Sequence, residues 1–293
     1  MNFDYIEVIP AQFLRHIPKS LNLVETNHIE SKLLRLILGT CDIRDSYTLG
    51  VIKQRNNYSN ALNSKNTNVT SSTIKSLLSP ITLSQVDNYL AKNYNVNYSL
   101  INDLLYEYSY FFLNEKKGNH TTAFIHLYRI LEYISYSFPL VHASTSKNFI
   151  GTFSSLKAYF AGDGNELKFL EIFIERLFDS DPILASTFDI NVQHSNRSVR
   201  DKLYAGFHRV LPSENAEFND SIYRVTITYS DLLKIIIQIR NRFFHFAVGG
   251  QKNIRSSEIE NPDLFFKHIN NHAINWISII YFEVFKTLVD RWS

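Results

Sequence analysis

Within "KIIIQIRNRFFHFAVGG", residues 234–250, an arginine, an asparagine and a histidine interrupt a run otherwise apolar enough for the middle of a buried helix. Arg240 offers a planar fork of donors that suits phosphoryl oxygens. His245 is the residue type able to exchange a proton near neutral pH. Asn241, four residues before His245, falls on the same helical face, where it can hold an imidazole tautomer or touch a phosphate itself. These types together suit phosphodiester cleavage in RNA without a metal. The histidine takes a proton from a 2′-hydroxyl or gives one to the leaving 5′-oxygen, and the arginine meets the charge that builds on the phosphoryl group.

At about 100° per residue, Leu232, Ile235, Ile236, Ile239, Phe243 and Phe246 share one face, opposite Asp231, Lys234, Gln238, Asn241, Arg242 and His245. Arg240 departs from this division. It falls on the apolar stripe, so its guanidinium must snorkel, pair inside a bundle or face a partner. It also lies about 140° round the helix from His245, a poor angle for convergence within one helix. Two copies packed about a twofold axis would bring two arginines and two histidines around one groove.

The stretch "IRNRFFHF" resembles the signature of the HEPN superfamily, an arginine followed by a polar residue, three variable residues and a histidine on a late helix of a helical bundle; Arg240, Asn241 and His245 occupy those positions. Upstream, "AFIHLYRILEYIS" is similar to an early helix of that family. The resemblance covers residues 98–293 and leaves 1–97 outside. It implies a mainly all-α, antiparallel bundle of about five helices and a homodimer joined through the motif helices. It further implies a composite, cofactor-free and metal-independent endoribonuclease site acting on RNA. The duty it implies is that of a toxic effector in antiphage defence, abortive infection or a toxin–antitoxin system, with an antitoxin or sensor protein as a further partner. The alternative is a non-catalytic HEPN-like module that binds a partner protein or a nucleotide and uses Arg240 structurally.

Other polar residues carry weaker signals. Glu132, at the edge of the apolar stripe of "YRILEYI", is placed to pair with Arg240 or Arg129 and to act behind the site. His268 and His272 have the i, i+4 spacing of metal ligands but lack the glutamate and third ligand of known motifs, so no metal is expected. His194, Arg197, Arg200, Lys202, His208 and Arg209 form a basic run interleaved with Tyr204 and Phe207, a composition able to follow single-stranded RNA. Lys252 and Arg255, just past the motif helix, are the other expected RNA contacts.

Apolar periodicity places the positioning elements. Helices are expected over 98–115, 120–138, 165–179, 230–248 with Ser230 as N-cap and Gly249-Gly250 as stop, and 262–292. They are expected to connect without strands. Residues 191–221 read as an insertion, and the Asn-rich "QRNNYSNALNSKNTNVTSS", 54–72, reads as a loop. Before that loop, 28–39 has helical spacing and 42–54 reads as a strand; after it, a short helix starts near Ser84. The first 97 residues thus form a mixed or helical extension with a regulatory role, ahead of a domain at 98–293. With 9 Gly and 7 Pro among 293 residues, long helices are favoured over many hairpins. A net charge of +2 demands no nucleic acid, and the single Cys41 excludes an intrachain disulfide. No secretory leader or membrane-length apolar run is present, so a cytoplasmic location is expected.

Overall fold

The computed structural model describes residues 3–161, 166–179, 181–211, 214–244 and 253–293. The chain is helix-rich, with two small antiparallel sheets. Strands β1 (Phe3–Glu7), β2 (Cys41–Asp45) and β3 (Val51–Gln54) form the first, in that order. Helices α1 (Ala11–Leu14) and α2 (Ile29–Ile37) lie between β1 and β2. Helix α3 (Ser71–Leu78) and helix α4 (Leu83–Lys92) follow, each opened by a threonine capping box at Thr70 and Thr82.

The long helices are α5 (Tyr98–Lys117), α6 (His120–Thr145), α7 (Phe149–Ala161) and α8 (Glu166–Leu177), then α9 (Arg197–Val210), α10 (Tyr229–Phe244) and α11 (Pro262–Trp292). The second sheet, ordered β4 (Thr187–Asn191), β6 (Arg224–Thr228), β5 (Glu217–Asn219), leads into α10.

Gly118, in the left-handed region at φ 77°, ends α5 and reverses the chain into α6. Side-chain pairs give the helix directions. Glu115 meets Asn270 and Tyr108 meets Ser278, so α5 and α11 run oppositely. Phe124 meets Phe266 and Phe138 meets Tyr281, so α6 and α11 run in the same sense. Helix α10 opposes both, with Phe244 on Phe124 and Tyr229 on Trp276. The expected antiparallel bundle is corrected at the packed α6–α11 pair, which runs in one sense.

The expectation of helices joined without strands is also corrected. Thr187–Asn191 and Arg224–Thr228 alternate apolar and polar residues, and Ile190, Val225 and Ile227 are buried while the opposite face is wetter. The stretch expected as an insertion, 191–221, is therefore integral: it carries α9 and β5 of a strand–helix–strand–strand unit that runs from Thr187 to Thr228. Helix α6 passes Pro139, where the sequence expectation stopped it, because Phe138 and Val141 on either side still pack on the core. Helix α7 was not expected.

The core is continuous from Phe3 to Val289 and crosses the expected boundary at residue 97. Tyr5 bonds Ser109 at 2.8 Å, Tyr89 packs edge-on to Phe285, and Asn275 donates to the carbonyls of Tyr58 and Asn60. Cys41 is buried in β2, with its thiol pushed up to about 12 by desolvation. Among the described residues no helix is long and apolar enough to cross a membrane.

Candidate functional site

Helix α10 starts at Tyr229, so Ser230, expected as its N-cap, lies inside the first turn instead, and Thr228 Oγ1 ahead of it donates to Asp231 Oδ2 at 2.9 Å. Leu232, Leu233, Ile235, Ile236 and Ile239 are buried, as the wheel requires. At its far end Phe243 meets Phe266 edge-on at 5.0 Å, and Phe244 stacks on Phe124 at 6.1 Å. These aromatic contacts hold the helix end against the first turns of α6 and α11.

Arg240 is half-buried there. Its guanidinium lies 4.8 Å from the centre of the Tyr128 ring of α6, and Nη1 donates to Asn241 Oδ1 at 3.0 Å. Among the described residues no carboxylate is within ion-pair reach of it, so the snorkel-or-pair choice resolves into an aromatic shelf. Burial lifts the Tyr128 phenol above its ordinary value; the Arg240 charge opposes that rise and the Glu132 charge adds to it.

Glu132 sits one turn along α6 from Tyr128, exposed to solvent. The ion pair expected with Arg240 or Arg129 is not made: Arg129 Nε reaches Glu107 Oε1 at 3.1 Å instead. Arg242, the second arginine of the motif, donates to the carbonyls of Arg209 and Val210, both at 2.6 Å. It satisfies the last turn of α9 and is accounted for structurally. His245, the Gly249-Gly250 stop and Lys252 lie outside the described residues.

The basic run on α9 is largely engaged. Arg197 lies 3.8 Å from Asp201, Lys202 pairs with Glu260, Arg209 is 2.5 Å from Glu258, and His208 is 3.4 Å from Asp220. Arg200 lies over the Tyr223 ring at 4.2 Å. The interleaved aromatics face inward: Phe207 stacks on Phe265, and Tyr204 donates to Asp220. Arg255 has an exposed side chain, and its backbone N–H donates to Glu258 Oε2 at 2.8 Å.

His268 and His272 share a face of α11 but hold no ligand cluster; among the described residues no group of His, Cys, Asp and Glu is arranged to bind a metal. His272 stacks on Phe188 at 4.5 Å, and burial lowers both imidazoles to about 4.

Two features escaped the sequence expectations. Tyr128 is the shelf under Arg240, and its position in the register 124, 128, 132 of α6 was the signal available. A second polar cluster joins His126 Nδ1 to Glu107 Oε2 at 2.7 Å, with Arg129 on the other carboxylate oxygen. The His126 ring stacks on Tyr110. It lies on the α5-facing side of α6, and sequence separation between 107 and 126 hides it. No family model, no curated protein and no solved structure matches the chain.

Proposed function

We propose that the end of α10 is half of a metal-independent endoribonuclease site, completed by a second copy of the chain. The reading rests on one observation: a half-buried guanidinium held on an aromatic shelf, with no acidic partner among the described residues and most of its donors unspent. A helix that places such a group at its end is equipped to meet a phosphate. Ile125, the neighbour of Phe124 along α6, and Phe244, stacked on Phe124, are 43% and 37% accessible and supply apolar surface for the second copy.

In the proposed step the RNA 2′-oxygen attacks phosphorus, the O2′–P bond forms and the P–O5′ bond breaks. His245 of one copy accepts the 2′-hydroxyl proton, and the other copy's histidine supplies one to the leaving 5′-oxygen. Arg240 stabilises the charge on the phosphoryl oxygens. The products are a 2′,3′-cyclic phosphate and a 5′-hydroxyl. The HEPN resemblance of Arg240, Asn241 and His245 supports this assignment, and with it the role of a toxic effector in antiphage defence or a toxin–antitoxin pair.

The test is RNA cleavage in EDTA by purified protein, with product ends analysed and mass measured by light scattering. Cleavage leaving cyclic phosphate, by a dimer, is expected. Arg240→Ala and His245→Ala should each slow it about a hundredfold or more without unfolding the chain. A requirement for Mg²⁺, 5′-phosphate ends, or full activity in a strict monomer overturns the proposal.

A further inference from the structure

Far from Arg240, where the second half of α6 leaves α5 and α11, a cavity of about 590 Å³ opens to the surface. Its walls are mostly apolar, including Leu100, Val141, Val284 and Phe285, with Asn97, Ser99, Ser137 and Ser144 among them. Its floor is polar. Glu30, 9% exposed in the first turn of α2, keeps its carboxylate there and, among the described residues, receives a single hydrogen bond, from the Tyr89 hydroxyl at 3.2 Å. Tyr281, 3% exposed, brings a hydroxyl that is buried and has no hydrogen-bond partner among the described residues.

Neither group is accounted for by the fold. A buried phenolic hydroxyl normally finds a partner, and leaving one unmade costs about 1–3 kcal/mol. A buried carboxylate with one hydrogen bond and no cation is costlier still when ionised. Desolvation lifts Glu30 to about 7, so near neutral pH it stands ready to ionise against an incoming positive charge. The rim adds an independent sign: Val96, Tyr136 and Leu140 are large apolar side chains left 55%, 45% and 57% exposed around the mouth. A pocket of this size with mostly apolar walls and few convergent polar groups has the form of a small-molecule site.

We propose that this cavity binds a small amphiphilic amine, its apolar body between α5, α6 and α11 and its amine head donating to Glu30 and to the Tyr281 oxygen. An amine fits where an alcohol or a carboxylic acid does not. Glu30 has acceptor capacity to spare and, among the described residues, no cation beside it, and a second carboxylate would meet the same desolvation with no charge to offset it. The inference is independent of the nuclease reading, because no RNA and no residue of α10 takes part.

The experiment is titration calorimetry of the full chain at pH 7.5 with octylamine, octanol and octanoate, three heads on one tail. Octylamine should bind, with octanol and octanoate weaker by about tenfold or more, the ratio expected from one charge-assisted hydrogen bond. Glu30→Gln keeps the side-chain shape and the Tyr89 contact and should erase the amine preference. Leu100→Trp, which fills the cavity from the first turn of α5, should abolish binding of all three. Absence of octylamine binding, equal binding of the three heads, or an amine preference that survives Glu30→Gln overturns the proposal.

Discussion

Two arginines on apolar helix faces show how differently one residue type is used. Arg35 of α2 is fully buried. It makes a two-pronged pair with Glu7 at 2.6 and 3.0 Å and donates to Thr40 Oγ1, Thr40 O and Leu21 O. Every donor direction that matters is met, and Glu7 in turn accepts from the backbone of Val8, Ile9 and Leu23. Arg240 has an aromatic ring and the amide oxygen of its neighbour. Arg35→Met should therefore cost about 3–5 kcal/mol by stranding the Glu7 charge. Arg240→Ala should cost about 1 kcal/mol or less, the scale of a partly wet cation–π contact. Urea denaturation of both variants checks the contrast. If Arg240→Ala proves the costlier, Arg240 is a structural residue and its place in the site falls.

At the scale of elements, residues 55–70, between β3 and α3, form a loop whose polar residues, with Gln54 at the end of β3, do the work of secondary structure. Gln54 donates to Leu36 O, Asn66 to Leu38 O and Gly39 O, and the Tyr58 N–H to Ile37 O. The unpaired carbonyls at the end of α2 are thereby satisfied by a segment distant in sequence. Gly39 makes this possible. Its φ of +66° closes the end of α2, with Gly39 N bonded to Leu36 O and Thr40 N to Arg35 O, and a Cβ there would lie 2.4 Å from Asn56 O. Gly39→Ala should cost about 2–4 kcal/mol, combining left-handed strain with displacement of the loop. Hydrogen exchange should show the 55–66 backbone opening first; unchanged protection there would separate the loop from the helix end.

Over the whole molecule, two sets of desolvated titratable groups, the half-buried His268 and His272 and the buried Glu30, pull stability in opposite directions with pH. His268 and His272 titrate near 4 in the folded chain and near 6.5 when unfolded. Between those values the unfolded chain binds protons that the folded chain refuses, so stability falls as pH drops from 6.5 to 4. Glu30, near 7 folded and 4.5 unfolded, does the reverse: the folded chain holds the proton, and stability falls as pH rises from 4.5 to 7. His272→Gln should flatten the acid side and Glu30→Gln the alkaline side, each by about 1–2 kcal/mol after allowance for solvent screening. Urea midpoints across pH 4.5 to 8 measure both slopes; a variant whose curve parallels the native one removes that group from the account. How far the sequence reaches follows from the range of each interaction. The helices expected over 98–115, 120–138 and 262–292, the apolar face of α10 and the polar character of 54–72 were legible, because periodicity and composition act between near neighbours along the chain; the last two turns of α6, past Pro139, were not. The motif Arg240, Asn241, His245 was legible as residue types at a spacing. The tertiary structure alone decided that α6 and α11 run in the same sense, that residues 3–97 share one core with the rest, and that the cations of α9 meet Asp201, Glu258 and Glu260. It alone set Tyr128 beneath Arg240, sent Arg129 to Glu107 rather than Glu132, and gathered Glu30, Tyr89 and Tyr281 at the floor of one cavity. Those partners are mostly distant in the chain, and which of many compatible charges or rings meets a given side chain depends on how whole faces pack, which no local pattern encodes.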